Sequence, residues 1–98
     1  MTDVVKFEKQ GAIGVITIDY PPANALSFAV KKGLSEPFYA CLEDDDCKRM
    51  VITGAGRMFV AGADIGEFGM ATPEGVPELE NFIREIEVAP KPVVAAIN

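Results

Sequence analysis

The stretch that most constrains this chain is Phe59-Val60-Ala61-Gly62-Ala63-Asp64-Ile65. It follows an apolar run, Met50-Val51-Ile52, and a glycine-punctuated turn, Thr53-Gly54-Ala55-Gly56. Three consecutive small residues, Ala61, Gly62 and Ala63, leave backbone that almost no side chain can shield. Successive peptide N–H groups on such a turn form a concavity suited to anionic ligand atoms. Asp64 has the chemistry to cap a short helix running from Ile65 onwards. The same pattern also fits a strand-to-helix connection packed so tightly that only small residues go in. The residues alone leave both readings open.

Composition narrows the classes of function. The chain has 98 residues, of which 49% are apolar, so it makes one globular domain at most and is not a disordered segment. A net charge of −6 argues against nucleic acid or an anionic membrane as partner. No apolar run approaches the ~20 residues of a membrane span. Met1-Thr2-Asp3 lacks the basic and apolar regions of a secretion signal. Cys41 and Cys47 lack metal-site spacing, so free thiols in a reducing, cytoplasmic setting are expected, with Cys41 the more buried. The absence of histidine removes a Ser-His-Asp triad from within these residues.

Taken in order, the chain opens with a predicted hairpin. Val5 and Phe7 alternate with Lys6 and Glu8, Ile13, Val15 and Thr17 alternate with Gly14, Ile16 and Ile18, and Gln10-Gly11 makes the turn. Asp19-Tyr20-Pro21-Pro22 stops the ladder, because proline donates no hydrogen bond. In the loop that follows, Asn24 is suited to satisfying backbone groups. Ser27 is a good N-cap for a helix with Val30, Leu34, Phe38, Cys41 and Leu42 on one face. Pro37 sits inside that helix, and Gly33, four residues earlier, makes its ring easier to absorb. Glu43-Asp44-Asp45-Asp46 is poorly matched to a helix C-terminus and marks the exit into solvent.

Arg49-Met50-Val51-Ile52-Thr53 reads as a buried strand of a parallel sheet. The glycines after it do not make a dinucleotide fingerprint, because Phe59 stands where the third glycine is needed. A phosphate loop fails too, for want of a Lys-Ser or Lys-Thr pair. Gly69, Thr72-Pro73 and Gly75 read as a mobile loop suited to a lid. From Pro77 a helix is predicted, with Leu79, Phe82, Ile83 and Ile86 on one face and a Glu80–Arg84 pair on the other. Pro90-Lys91-Pro92 ends it, and Val93-Val94-Ala95-Ala96-Ile97-Asn98 begins a strand.

Arg57 to Ile65, R-M-F-V-A-G-A-D-I, resembles the signature loop of the enoyl-CoA hydratase/isomerase (crotonase) superfamily. Asn24-Ala25-Leu26 and Val51-Ile52-Thr53-Gly54 fall where that family has its other early landmarks, so the likeness spans the whole chain. It implies an α/β fold, the N-terminal portion of the crotonase-like (ClpP/crotonase) ββα superhelix, with residues 1–98 an incomplete acyl-CoA domain. The implied chemistry is hydration of trans-2-enoyl-CoA in fatty-acid β-oxidation, through an enolate. The resemblance makes the Ala63 N–H one of two donors to the thioester oxygen, each worth ~3–4 kcal/mol in comparable sites. It makes Ala23, Asn24, Ala25, Leu26, Ala61, Gly62, Asp64 and Ile65 substrate- or CoA-binding residues. Arg57 is a candidate for a CoA phosphate, although a lone arginine beside a turn is more often just solvated.

No metal and no redox cofactor is implied; coenzyme A enters as part of the acyl-CoA substrate. The second oxyanion donor and the catalytic Glu residues are expected beyond Asn98, so the 98 residues alone are expected to be inactive. Glu67 is the carboxylate nearest in sequence to the reacting carbon, but the general exposure of Glu favours an ordinary polar residue of a short surface helix. Gly66 departs from the longer side chain that many relatives carry there. The complete protein is expected to be a homo-oligomer, as the family trimer or as a multifunctional chain. The Pro21–Leu26 loop looks most like the hydratase half of multifunctional fatty-acid oxidation proteins. Alternatives within the same resemblance are an isomerase or other acyl-CoA enzyme, and a non-catalytic acyl-CoA-binding or assembly module.

Overall fold

A computed structural model describes residues 4–56, 58–60, 62, 67 and 69–97. Within them run β1 (Val5–Gln10), β2 (Ile13–Ile18), α1 (Phe28–Glu43), β3 (Arg49–Gly54), α2 (Leu79–Glu87) and β4 (Val93–Ala96). The four strands form one sheet in the order β1-β2-β3-β4. β1 and β2 are an antiparallel hairpin, with Val5 opposite Ile18 and Gln10 opposite Ile13. β2–β3 and β3–β4 are parallel, which places α1 and α2 in the two crossovers. The α/β class implied by the resemblance is the class observed.

The hairpin turn lies one residue later than expected, at Gly11-Ala12. Gly11 has φ +60 at the first central position, where a II′ turn takes glycine. In β2 and β3 the residues facing α1 are buried: Gly14, Ile16 and Ile18, and beside them Met50, Ile52 and Gly54. Val15, Thr17, Val51 and Thr53 on the other face are half-buried. Among the described residues β3 is therefore buried on the face toward α1 and only half-buried on the other, not buried throughout as expected.

α1 starts where the sequence predicts. Ser27 is extended, and its Oγ accepts a hydrogen bond from the Val30 N–H at 3.2 Å. Val30, Leu34, Phe38 and Cys41 are buried as predicted, and Leu42 is half-buried. Pro37 lies inside the helix. Gly33 has a further reason to be glycine: an added Cβ would sit 2.7 Å from Val5 Cγ2, so α1 rests directly on β1 there. Phe82 of α2 packs edge-on against Phe38 with ring centroids 5.3 Å apart. Ile83, expected on that same face, is 46% exposed, because α2 meets the core through Phe82 rather than along a broad stripe. The described residues contain no Glu80–Arg84 ion pair. What ties α2 to α1 at the surface is the Tyr39 hydroxyl, which donates to Glu85 and is thereby held protonated, its pKa pushed up to about 12.

The acidic end of α1 is answered from elsewhere in the chain. Lys91 Nζ donates to the carbonyls of Cys41 and Asp44, and Lys9 Nζ pairs with Asp44 Oδ2 at 3.0 Å. The Lys9 ammonium and the Asp46 N–H together hold the Asp44 carboxyl below the usual carboxylate range. Asp44 Oδ1 accepts from Asp46 N and its carbonyl accepts from Cys47 N, folding the chain back on the last turn of α1. That fold-back corrects the expectation of free thiols. Cys41 and Cys47 are joined in a disulfide, Cα–Cα 5.6 Å, and are equally buried at 1% exposure. Both sulfurs crowd Gly14, where an added Cβ would lie 2.8 and 3.2 Å from them.

Candidate functional site

β3 ends against the backbone of Met58 and Phe59. The Ala55 N–H donates to the Ile18 carbonyl at 2.8 Å, one step past the strand, and Gly56 turns the chain with φ +77. Gly54 itself does not make the turn. A Cβ there would collide with the Met58 carbonyl oxygen, and would lie 2.6 Å from that of Phe59 and 2.8 Å from Asn24 Nδ2. Glycine is needed because the chain comes back across it.

The loop after β2 grips that returning segment. Asn24 is 3% exposed with φ +55, a conformation asparagine tolerates better than most residues. Its Oδ1 accepts from Tyr20 N at 2.8 Å, and its Nδ2 donates to Met58 O at 2.7 Å and Ala55 O at 3.4 Å. Two residues on, the Leu26 N–H donates to the Gly62 carbonyl at 2.8 Å. After two more, the Phe28 N–H donates to Glu67 Oε1 at 2.8 Å. Alternate residues 24, 26 and 28 thus lace down Met58, Gly62 and Glu67. The side chain of Asn24 satisfies backbone groups as expected; Ala23, Ala25 and Leu26 beside it are half-buried.

Of the residues implied to hold the acyl-CoA, the structure describes Ala23, Asn24, Ala25, Leu26 and Gly62 and brings them together through the Leu26–Gly62 bond. Ala61, Ala63, Asp64 and Ile65 lie outside the described residues, as do Arg57 and Gly66. Glu67 has a part that neither sequence reading offered. The first turn of α1 contains no acidic residue, and the half-buried Glu67 supplies the negative charge that a helix N-terminus favours. That missing acid was the one available cue, since Phe28 and Glu67 are 39 residues apart. Among the described residues no group of three or more Cys, Asp or Glu is placed to hold a metal ion.

Comparison with known proteins identifies the family. Residues 8–98 match the family model described as enoyl-CoA hydratase/isomerase. The chain belongs to that family. This enoyl-CoA hydratase/isomerase family member is 38% identical over 91 residues to a probable enoyl-CoA hydratase of Bacillus subtilis, covering 88% of this chain and 35% of that protein. It is 39% identical over 93 residues to a glyoxysomal fatty acid beta-oxidation multifunctional protein of Cucumis sativus, covering 88% of this chain and 13% of that one. The crystal structure of enoyl-CoA hydratase from Mycobacterium tuberculosis superposes with a TM-score of 0.82 at 31% identity, over 99% of this chain and 38% of that chain. The family member described here therefore spans little more than a third of these two hydratases, and less of the multifunctional protein. Its fold is the corresponding part of the crotonase fold.

Proposed function

We propose that residues 1–98 form the N-terminal part of an acyl-CoA domain whose activity is hydration of trans-2-enoyl-CoA thioesters in fatty-acid β-oxidation. The observation that carries this reading is the lacing of Met58, Gly62 and Glu67 onto residues 24, 26 and 28. It joins the loop expected to meet CoA to Met58, Gly62 and Glu67, which flank in sequence the residue expected to meet the thioester, and so supports the reading. In this reading Ala23, Asn24, Ala25 and Leu26 border the CoA moiety with Ala61, Gly62, Asp64 and Ile65. The Ala63 N–H donates to the thioester oxygen. Adding water across the double bond develops negative charge on that oxygen, and a preorganised donor aimed at it lowers the barrier.

The reading uses proton transfer and oxyanion stabilisation, so it needs neither metal nor redox cofactor. The proton transfers are assigned to a carboxylate pair outside these residues. An oligomeric or multifunctional complete protein belongs to the same proposal. The relation to a multifunctional β-oxidation protein supports the multifunctional form. As to compartment, no helix among the described residues is long and apolar enough to cross a membrane.

Crotonyl-CoA turnover tests the assignment. The 98-residue chain alone is expected to show none above a buffer blank, because one oxyanion donor and the acid/base pair are assigned elsewhere. A complete protein carrying it is expected to hydrate crotonyl-CoA. Turnover by the short chain that survives re-purification would mean that the catalytic groups have been assigned to the wrong residues.

A further inference from the structure

Three bonds of the lacing differ in kind. Asn24 and Leu26 use neutral groups, whereas the Phe28 N–H meets a carboxylate, and hydrogen bonds with one charged partner are roughly twice as strong as neutral ones. Phe28 is also the first residue of the 16-residue α1, so Glu67 is moored to a long, fixed element. We propose that Glu67 is a positioning residue for the acyl-thioester site. Its carboxylate holds the point where the chain leaves the span between Gly62 and Glu67, while Leu26 holds the point where it enters. The Phe28 N–H engages only Oε1, and that bond fixes the carboxylate against the start of α1. In the positioning role Glu67 acts through the backbone it fixes and not on the substrate, which the pH–rate profile distinguishes from acid–base work. The catalytic part of this inference rests on the proposed function; the mechanical part does not.

The test has two arms. The first is amide hydrogen exchange on the complete protein, comparing Glu67→Ala and Glu67→Gln with the parent. Glu67→Ala is expected to speed exchange at Phe28 and also at Leu26 by about tenfold or more, the scale of a hydrogen bond to a charged group. Val30, whose N–H is held by Ser27 within the helix cap, is expected to change little. Glu67→Gln keeps an acceptor oxygen and is expected to recover most of the protection at Leu26. A rise confined to Phe28 would make Glu67 a helix cap and nothing else, and would overturn the proposal.

The second arm is steady-state kinetics of the complete hydratase. Glu67→Ala is expected to lower kcat by about tenfold to a hundredfold with KM little changed, the scale set by small misplacements near a reacting centre. Glu67→Gln is expected to restore most of it. Glutamine as inactive as alanine, with one limb of the pH–rate profile lost, would make Glu67 an acid or base and overturn the positioning role. An unchanged kcat in Glu67→Ala overturns it as well. Because the exchange arm needs no turnover, a laced chain from a protein without hydratase activity would sink the proposed function and leave the mechanical part standing.

Discussion

In a complete hydratase carrying this chain, Ala63→Pro is expected to lower kcat by roughly two to three orders of magnitude. The role proposed for Ala63 resides in its N–H and not in its methyl group. Proline removes that donor outright and fixes φ as well. Ala63→Gly keeps the donor and loosens the loop, so it is expected to cost far less. Proline also has the capacity to misfold a tight loop, which makes melting behaviour and CoA binding the necessary companions of the rate. Asp64→Asn is the internal control: asparagine caps a helix nearly as well as aspartate, so a cap role predicts little change in either stability or rate. A well-folded Ala63→Pro enzyme that hydrates at the parental rate would reduce the Ala61-Gly62-Ala63 stretch to packing, and the site assignment would have to be withdrawn.

Gly54→Ala is the largest effect expected outside the catalytic groups. The new Cβ would meet the carbonyl oxygens of Met58 and Phe59 and the tied amide of Asn24, none of which is the far end of a flexible side chain. Relief requires moving the Met58–Phe59 backbone, and with it the Asn24–Met58 bond of 2.7 Å. The cost is expected at about 1–3 kcal/mol, the range for over-packing a filled site. Gly56 separates this effect from backbone strain. It has φ +77 with nothing within 4 Å of an added Cβ, so Gly56→Asn, which tolerates a positive φ, is expected to melt close to the parent. Denaturant unfolding of the two variants reads the difference. Equal midpoints would mean that the chain does not return across Gly54 as described.

The elements that were legible in the sequence are those written in local code. Alternation in residues 5–18 gives the hairpin, Ser27 gives the cap, and the spacing of Val30, Leu34, Phe38 and Cys41 gives the buried face of α1. What escaped is set by partners far apart in the chain. α1 carries no acidic residue in its first turn and no basic residue in its last. It borrows Glu67 at one end, and Lys9 and Lys91 at the other. Only the folded topology brings those three to the helix ends, so a local reading assigned Glu67 to the surface or to catalysis. Cys41 and Cys47 escaped for a related reason: the turn through Asp44 and Asp46 doubles the chain back, and residues read as lying along a line became a pair. The family was legible, through the resemblance of Arg57–Ile65 and the landmarks at residues 24–26 and 51–54. The framework around β3 was not, because the glycine at position 54 signals a turn and in fact makes room for a carbonyl.

The central claim is that the segment following β3 presents an N–H to a thioester oxygen. It is tested most directly by a crystal structure of the complete protein with a non-reactive acyl-CoA thioester bound. In that complex the thioester oxygen is expected about 2.7–3.1 Å from the Ala63 nitrogen, the spacing of an oxyanion donor. The Leu26–Gly62 and Phe28–Glu67 bonds, 2.8 Å each, are expected to stay intact there. A thioester seated elsewhere, or lying against this segment with its oxygen turned away from Ala63, would contradict it.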